Sequence, residues 1–111
     1  MRHLPTPRDL NDAVRCVIES NRSDGYTPTR FIQVTADGTA PDLIAICIRL
    51  INKGEILEHL DGALKRFPTL LTLEDLVSHY GSVWGFDEAT IEMARARSEY
   101  FDQIARQTRY S

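Results

Sequence analysis

A repeated helix-start signal limits this chain more than any other feature. Thr6-Pro7-Arg8-Asp9, Tyr26-Thr27-Pro28, Thr39-Ala40-Pro41-Asp42, Thr72-Leu73-Glu74-Asp75 and Phe86-Asp87-Glu88 each set a Thr or Asp ahead of a helical apolar pattern. Such a side chain accepts a hydrogen bond from an N–H of the first turn that has no partner within the helix. Proline suits the first helical position, because its missing N–H would have had no partner there. So many starts in so short a chain predict several short helices joined by tight turns. No segment shows the period-two alternation of a half-buried strand.

Behind the first start, Leu10, Ala13, Val14, Val17 and Ile18 form one stripe, and Asn21-Arg22-Ser23-Asp24-Gly25 predicts a stop near Ser20. With Thr27 as cap, Tyr26 and Phe31 fill the positions of a hydrophobic staple, which predicts a short helix over 28–36 closed by Asp37-Gly38. A strand over Arg30 to Thr35 is the competing reading, because Phe31, Ile32, Val34 and Thr35 are strand formers. The helix is preferred, since a lone strand would find no partner.

After Thr39, with Asp42 placed to complete a capping box, Leu43, Ile44, Ile46, Cys47, Ile48, Leu50 and Ile51 run apolar around most of a helix. That pattern predicts the central, most buried helix, with Leu43, Ile44, Cys47, Leu50 and Ile51 innermost. Gly54 breaks it. Ile56, Leu57, Leu60, Leu64 and Phe67 form a second stripe, which Pro68 ends, so 40–67 reads as two helices. Leu71 and Leu76 staple the next start, and Gly81 closes that helix. The last runs over 88–106, with Ala94, Phe101, Ile104 and Ala105 inward. The expected fold is all-α: residues 1–111 as a single compact domain of five or six helices, with 1–6 and 107–111 fraying.

Composition removes whole classes. A chain of 111 residues with 42% hydrophobic content suits one domain with one core, not wholesale disorder. No apolar run approaches the roughly 20 residues of a membrane span, and the start Met1-Arg2-His3-Leu4-Pro5 lacks the apolar stretch of a secretory signal. Cys16 and Cys47 sit singly inside helical patterns, which predicts two reduced thiols in a cytoplasmic protein. The net charge of −3 argues against a strongly basic nucleic-acid binder.

No chemistry-bearing constellation stands out. Glu55 with His59 and Asp75 with His79 are spaced four apart, but spacing supplies no third metal ligand, and ordinary surface pairs explain them. Residues 37–42 lack the ligand set of a calcium loop, and neither Gly-x-Ser-x-Gly nor a glycine-rich phosphate cradle occurs. The expectation is therefore no enzyme, no cofactor and no metal. Partner contact is the remaining role. Trp84, flanked by Val83 and Phe86 in a glycine-bounded loop, is a candidate anchor. Tyr100 and Phe101 are adjacent and must diverge on a helix, so Phe101 serves the core while Tyr100 faces outward beside Met93, Ala96 and Ala89. That face predicts a homodimer through 89–104. Arg95, Arg106 and Arg109 return to a similar side of the same helix.

Thr72-Leu73-Glu74-Asp75-Leu76-Val77, Gly81, and then Thr90-Ile91 leading to Arg95 resemble the helix-turn-helix of small bacterial regulators. Gly38-Thr39, Leu50, Gly54, Ile56-Leu57, Phe67-Pro68 and Leu71-Thr72-x-Glu74-Asp75-Leu76 resemble small bacterial antitoxin-like proteins built on a similar fold. The resemblance implies a helix-turn-helix-like C-terminal half and DNA as a partner. Charge does not favour DNA: residues 55–87 hold two basic and six acidic side chains, and the last helix opens with Asp87, Glu88 and Glu92, which phosphate oxygens repel. The favoured function is a non-enzymatic regulatory module, an adaptor or inhibitor, that meets a protein partner through an acidic helical surface. The alternative is a DNA-binding or antitoxin-like regulator.

Circular dichroism should be dominated by helix. A strand content above about a quarter, the usual share in globular domains, would contradict the all-α expectation.

Overall fold

The computed structural model describes residues 4–36, 40–54 and 57–110, and of these all side chains but those of 40, 41, 57–59 and 108–110. Six helices follow one another: α1 Leu10–Ser23, α2 Thr29–Ala36, α3 Ala40–Lys53, α4 Leu57–Arg66, α5 Leu73–Tyr80 and α6 Glu88–Tyr110. No strand occurs among the described residues, and no helix among them is long and apolar enough to cross a membrane.

Among the described residues the helix boundaries shift at three places, both ends of α1 and the end of α6. The cap of α1 is Asp9, not Thr6: the Asp9 carboxylate accepts from the Asp12 N–H at 2.8 Å, and the Asp12 carboxylate reaches back to the Arg8 N–H at 2.9 Å. Thr6 and Pro7 lie in the lead, where Pro7 is buried. At its other end α1 runs past Ser20 to Ser23. Asn21 reads locally as turn chemistry, but it is buried inside the helix, and its Nδ2 donates to the Leu71 carbonyl at 2.9 Å. That tertiary bond overrides the local preference.

Residues 29–36 are helix, not strand. Phe31 and Thr35, one turn apart, form its buried face, and the Thr35 hydroxyl donates to the Phe31 carbonyl at 2.7 Å. The expected closure at Asp37-Gly38 and the Thr39 cap lie outside the described residues. Gly54, with φ +64°, ends α3, so two helices do occupy 40–67. Thr72 caps α5 with the full reciprocal box to Asp75. The last helix reaches Tyr110, beyond the expected 106. At 1.5 Å per residue α6 is about 34 Å long, well over the 25 Å width of a body measuring 42 × 25 × 25 Å.

Two apolar clusters fill the interior. The larger gathers Val14, Val17, Phe31, Cys47, Leu50, Ile51, Leu76, Val77, Phe86 and Ala94 from α1, α2, α3, α5 and the start of α6. The smaller joins Ala63 and Leu64 of α4, Leu70, and Phe101 and Ile104 of α6. Leu70 and Leu71 are consecutive yet enter different clusters, so the α4–α5 connection is where the two meet.

The expectation that α3 is the most buried helix is corrected. Leu43, Cys47, Leu50 and Ile51 are buried, but Ile44, Ile46 and Ile48 are only half-buried. The most enclosed stretch is instead Leu70–Val77, eight consecutive buried residues that include most of α5. Apolar circumference marks what a helix can bury. Which helix is enclosed depends on how closely its neighbours pack on it, and α5 makes the most extensive contact of any pair with the long α6 while also meeting α1.

Leu50→Ala should lower stability by about 2–3 kcal/mol, the lower part of the range for buried leucines, because Leu50 already borders a cavity and has fewer contacts to lose. Chemical denaturation measures this. A loss within about 0.5 kcal/mol, as at surface sites, would contradict the core assignment.

Candidate protein-interaction surface

The connection from α5 to α6 is a closed stack of turns. Val83 N–H donates to the Tyr80 carbonyl at 3.0 Å, and Trp84 and Phe86 N–H both reach the Gly81 carbonyl, at 3.2 and 3.0 Å. Gly85 completes the turn at φ +88°, a conformation that side chains resist. The ring of Trp84 rests near Tyr80 with centroids 5.6 Å apart, and His79 meets Tyr80 edge-on at 4.6 Å. Tyr80 donates its hydroxyl to the Pro5 carbonyl at 3.1 Å, which ties the chain start to the same corner. On this support Val83 stands 82% exposed. Trp84 is half-buried and packs against the larger cluster, so it braces the loop more than it projects.

Beside the loop, α6 begins with an acidic edge. Asp87, Glu88 and Glu92 are exposed. Asp87 caps the helix, accepting the Thr90 N–H at 3.0 Å and the Thr90 hydroxyl at 2.6 Å. The hydroxyl bond and then the N–H bond hold its carboxyl below the usual carboxylate value. Thr90 is fully buried, and its oxygen accepts from Asn52 Nδ2 at 3.0 Å, so the corner is fastened to the end of α3 as well.

Along α6, Phe101 is buried and Tyr100 is 43% exposed, as their divergence requires. Met93 is 39% exposed, and Ala89 and Ala96 are exposed too. These four share one outer face at 4-3-4 spacing. Tyr100 is not free-standing, because its hydroxyl donates to Asp61 of α4 at 3.0 Å. Among the basic candidates, Arg95 is exposed and paired with Glu92 at 2.5 Å. Arg106 is exposed, and the Arg109 side chain lies outside the described residues.

His79 and Asp75 do not form a pair. His79 turns to Tyr80, whereas the Asp75 carboxylate faces inward to Thr72 and Ser98. Glu55 lies outside the described residues, and so does the His59 side chain. Among the described residues no group of three metal-binding side chains comes together. Both cysteines are free.

Sequence patterns pass over the exposure of Val83, which follows from the hydrogen-bonded turns that carry it. They also pass over the pocket near the N-terminal end of α5, where Asn21 and Glu74 are buried although each reads as a surface residue. No family model matches the chain, and neither the curated proteins nor the solved structures contain a match.

A depressed carboxyl value adds stability that is complete above the unfolded value of about 3.9 and is lost as pH falls through the lower folded value. Asp87→Ala should therefore melt below the unmodified protein at about pH 7, and the gap should narrow at about pH 2. A gap of equal size at both pH values would show that Asp87 does not act through its charge.

Proposed function

We propose that this protein is a small non-enzymatic interaction module, an adaptor or inhibitor, that docks a protein partner at the α5–α6 corner. One observation carries the reading. Val83 projects from a rigid, aromatic-backed turn with the carboxylates of Asp87, Glu88 and Glu92 nearby in sequence. An apolar knob beside charges of one sign suits a partner with a shallow apolar recess and a basic rim, in which the apolar contact gives affinity and the rim gives rate and specificity. The two free thiols fit a reducing, cytoplasmic setting.

Self-association through α6 is the second part of the proposal. Ala89, Met93, Ala96 and Tyr100 follow the spacing of a helix–helix seam. The alternative, a helix-turn-helix or antitoxin-like DNA binder, draws support from the Thr72–Asp75 box on α5 and the packing of α5 on α6. The acidic opening of α6 and the Glu92–Arg95 pair weigh against it.

Immobilised protein should retain a partner from lysate of its source, in a salt-sensitive way. Val83→Glu should abolish retention with no change in melting temperature, and Glu88→Gln should weaken it. Equal retention by all three forms would overturn the proposal, and a salt-dependent mobility shift with duplex DNA would favour the alternative.

Sedimentation at tens of micromolar should show a dimer for the unmodified chain and a monomer for Met93→Glu. Met93 is a cleaner position than Tyr100, whose replacement also removes the bond to Asp61. An unmodified chain already monomeric would end the dimer proposal.

A further inference from the structure

At the far end of α5 from the Trp84 loop, the end of α1, the start of α2, Leu50, Leu60 and residues 71–74 surround a cavity of about 340 Å³. A cavity of roughly 150 Å³ holds one benzene ring, so this one has room for about a dozen non-hydrogen atoms. Its inner wall is largely apolar: Val17, Phe31, Leu50 and Leu71 are buried, and Leu60 is half-buried. Three buried polar side chains also reach that wall, and each is already engaged within the protein. Asn21 Nδ2 donates to the Leu71 carbonyl at 2.9 Å, the Thr72 hydroxyl accepts the Asp75 N–H at 3.2 Å, and Glu74 has an interaction of its own. Apolar surface gains by leaving water for such a wall, whereas a charged group would lose its hydration there.

The rim has a different character. The exposed residues of the lining are Thr27, Thr29, Arg30 and Gln33, all from the lead and first half of α2, so the cavity opens beside that element. Arg30 is the one charged residue among these four, and no described residue forms an ion pair with it. The cavity therefore joins an apolar interior to a cation at its opening.

We infer that this cavity binds a small amphiphilic carboxylate, its apolar tail against Val17, Phe31, Leu50 and Leu60 and its head group at the rim beside Arg30. A guanidinium presents parallel N–H donors that match the two oxygens of a carboxylate. At an exposed rim such a pair contributes little energy, so the tail supplies most of the affinity and Arg30 selects the sign of the head group. The site is separate from the corner proposed for the protein partner, and it stands or falls independently of that reading.

Octanoate, octanol and octylamine share one tail and differ in the head group, and they test the inference on the full chain. Calorimetry measures affinity, and amide shifts of Val17, Phe31 and Leu50 in two-dimensional NMR locate the site. Octanoate should bind about three- to fivefold tighter than octanol at low salt, the range of an exposed ion pair, and octylamine should be weakest. The preference for octanoate should shrink in about 1 M salt, where the screening length falls to about 3 Å. Hexanoate should bind about tenfold more weakly than octanoate, because two fewer CH₂ groups are buried. Arg30→Gln should lower octanoate to the level of octanol and leave octanol unchanged. Leu60→Trp, which fills the cavity from a half-buried position, should remove binding of all three and leave the helical signal intact. Should Leu60→Trp fail to fold, Arg30→Gln and the tail-length comparison still decide. The inference is overturned if octylamine binds as well as octanoate, if Arg30→Gln keeps the preference, if binding survives in folded Leu60→Trp, or if no octyl compound shifts the cavity amides.

Discussion

The Asp75 carboxylate is the interaction on which the rest of the structure leans. It is buried, and it accepts the Thr72 N–H at 2.9 Å and the Ser98 hydroxyl at 2.5 Å. The Asp75 N–H returns a bond to the Thr72 hydroxyl at 3.2 Å, and its carbonyl accepts from Ser78 at 2.9 Å. A buried acid without such partners would be strongly destabilising. With them, α5 can be enclosed and still have its first turn satisfied. The Ser98 bond also fixes α5 against the middle of α6. Since α6 carries Ala94 in the larger cluster and Phe101 in the smaller, this bond registers both halves of the core.

That arrangement gives α5 two working ends. Its first turn brings Glu74 and Thr72 to the cavity wall, where Asn21 of α1 holds the Leu71 carbonyl. Its last residue, Tyr80, supports Trp84 and takes hold of the chain start through Pro5. An eight-residue helix spans only about 12 Å, so the cavity and the corner are near neighbours joined by one rigid element. The Asn52–Thr90–Asp87 chain adds a polar fastening between α3 and the start of α6, and it keeps the acidic edge beside Val83 in place.

Helix existence was legible because it rests on local rules. Thr72 with Asp75, Gly54 after α3 and Pro68 after α4 act within a turn or two of chain, and each does in the structure what its spacing predicts. The divergence of Tyr100 and Phe101 was legible for the same reason. What was not legible depends on residues far apart in sequence. Asn21 continues α1 because of Leu71, fifty positions away. Glu74 and Asp75 read as exposed first-turn acids, yet α1 and α6 close over them. Ile44 belongs to an apolar run but sits at its margin. Of the candidate site, Trp84 was visible by type, while the exposure of Val83 and the cavity beside Asn21 and Glu74 arise only once the helices pack.

Native-state hydrogen exchange tests the central place of α5 most directly. The amides of Leu76 and Val77 should exchange only through global unfolding, with a free energy equal to that from denaturant titration, while α2 should open locally at lower cost. If Leu76 and Val77 instead exchange faster than Cys47 and Leu50 of α3, the polar box at Asp75 is not what holds the domain together.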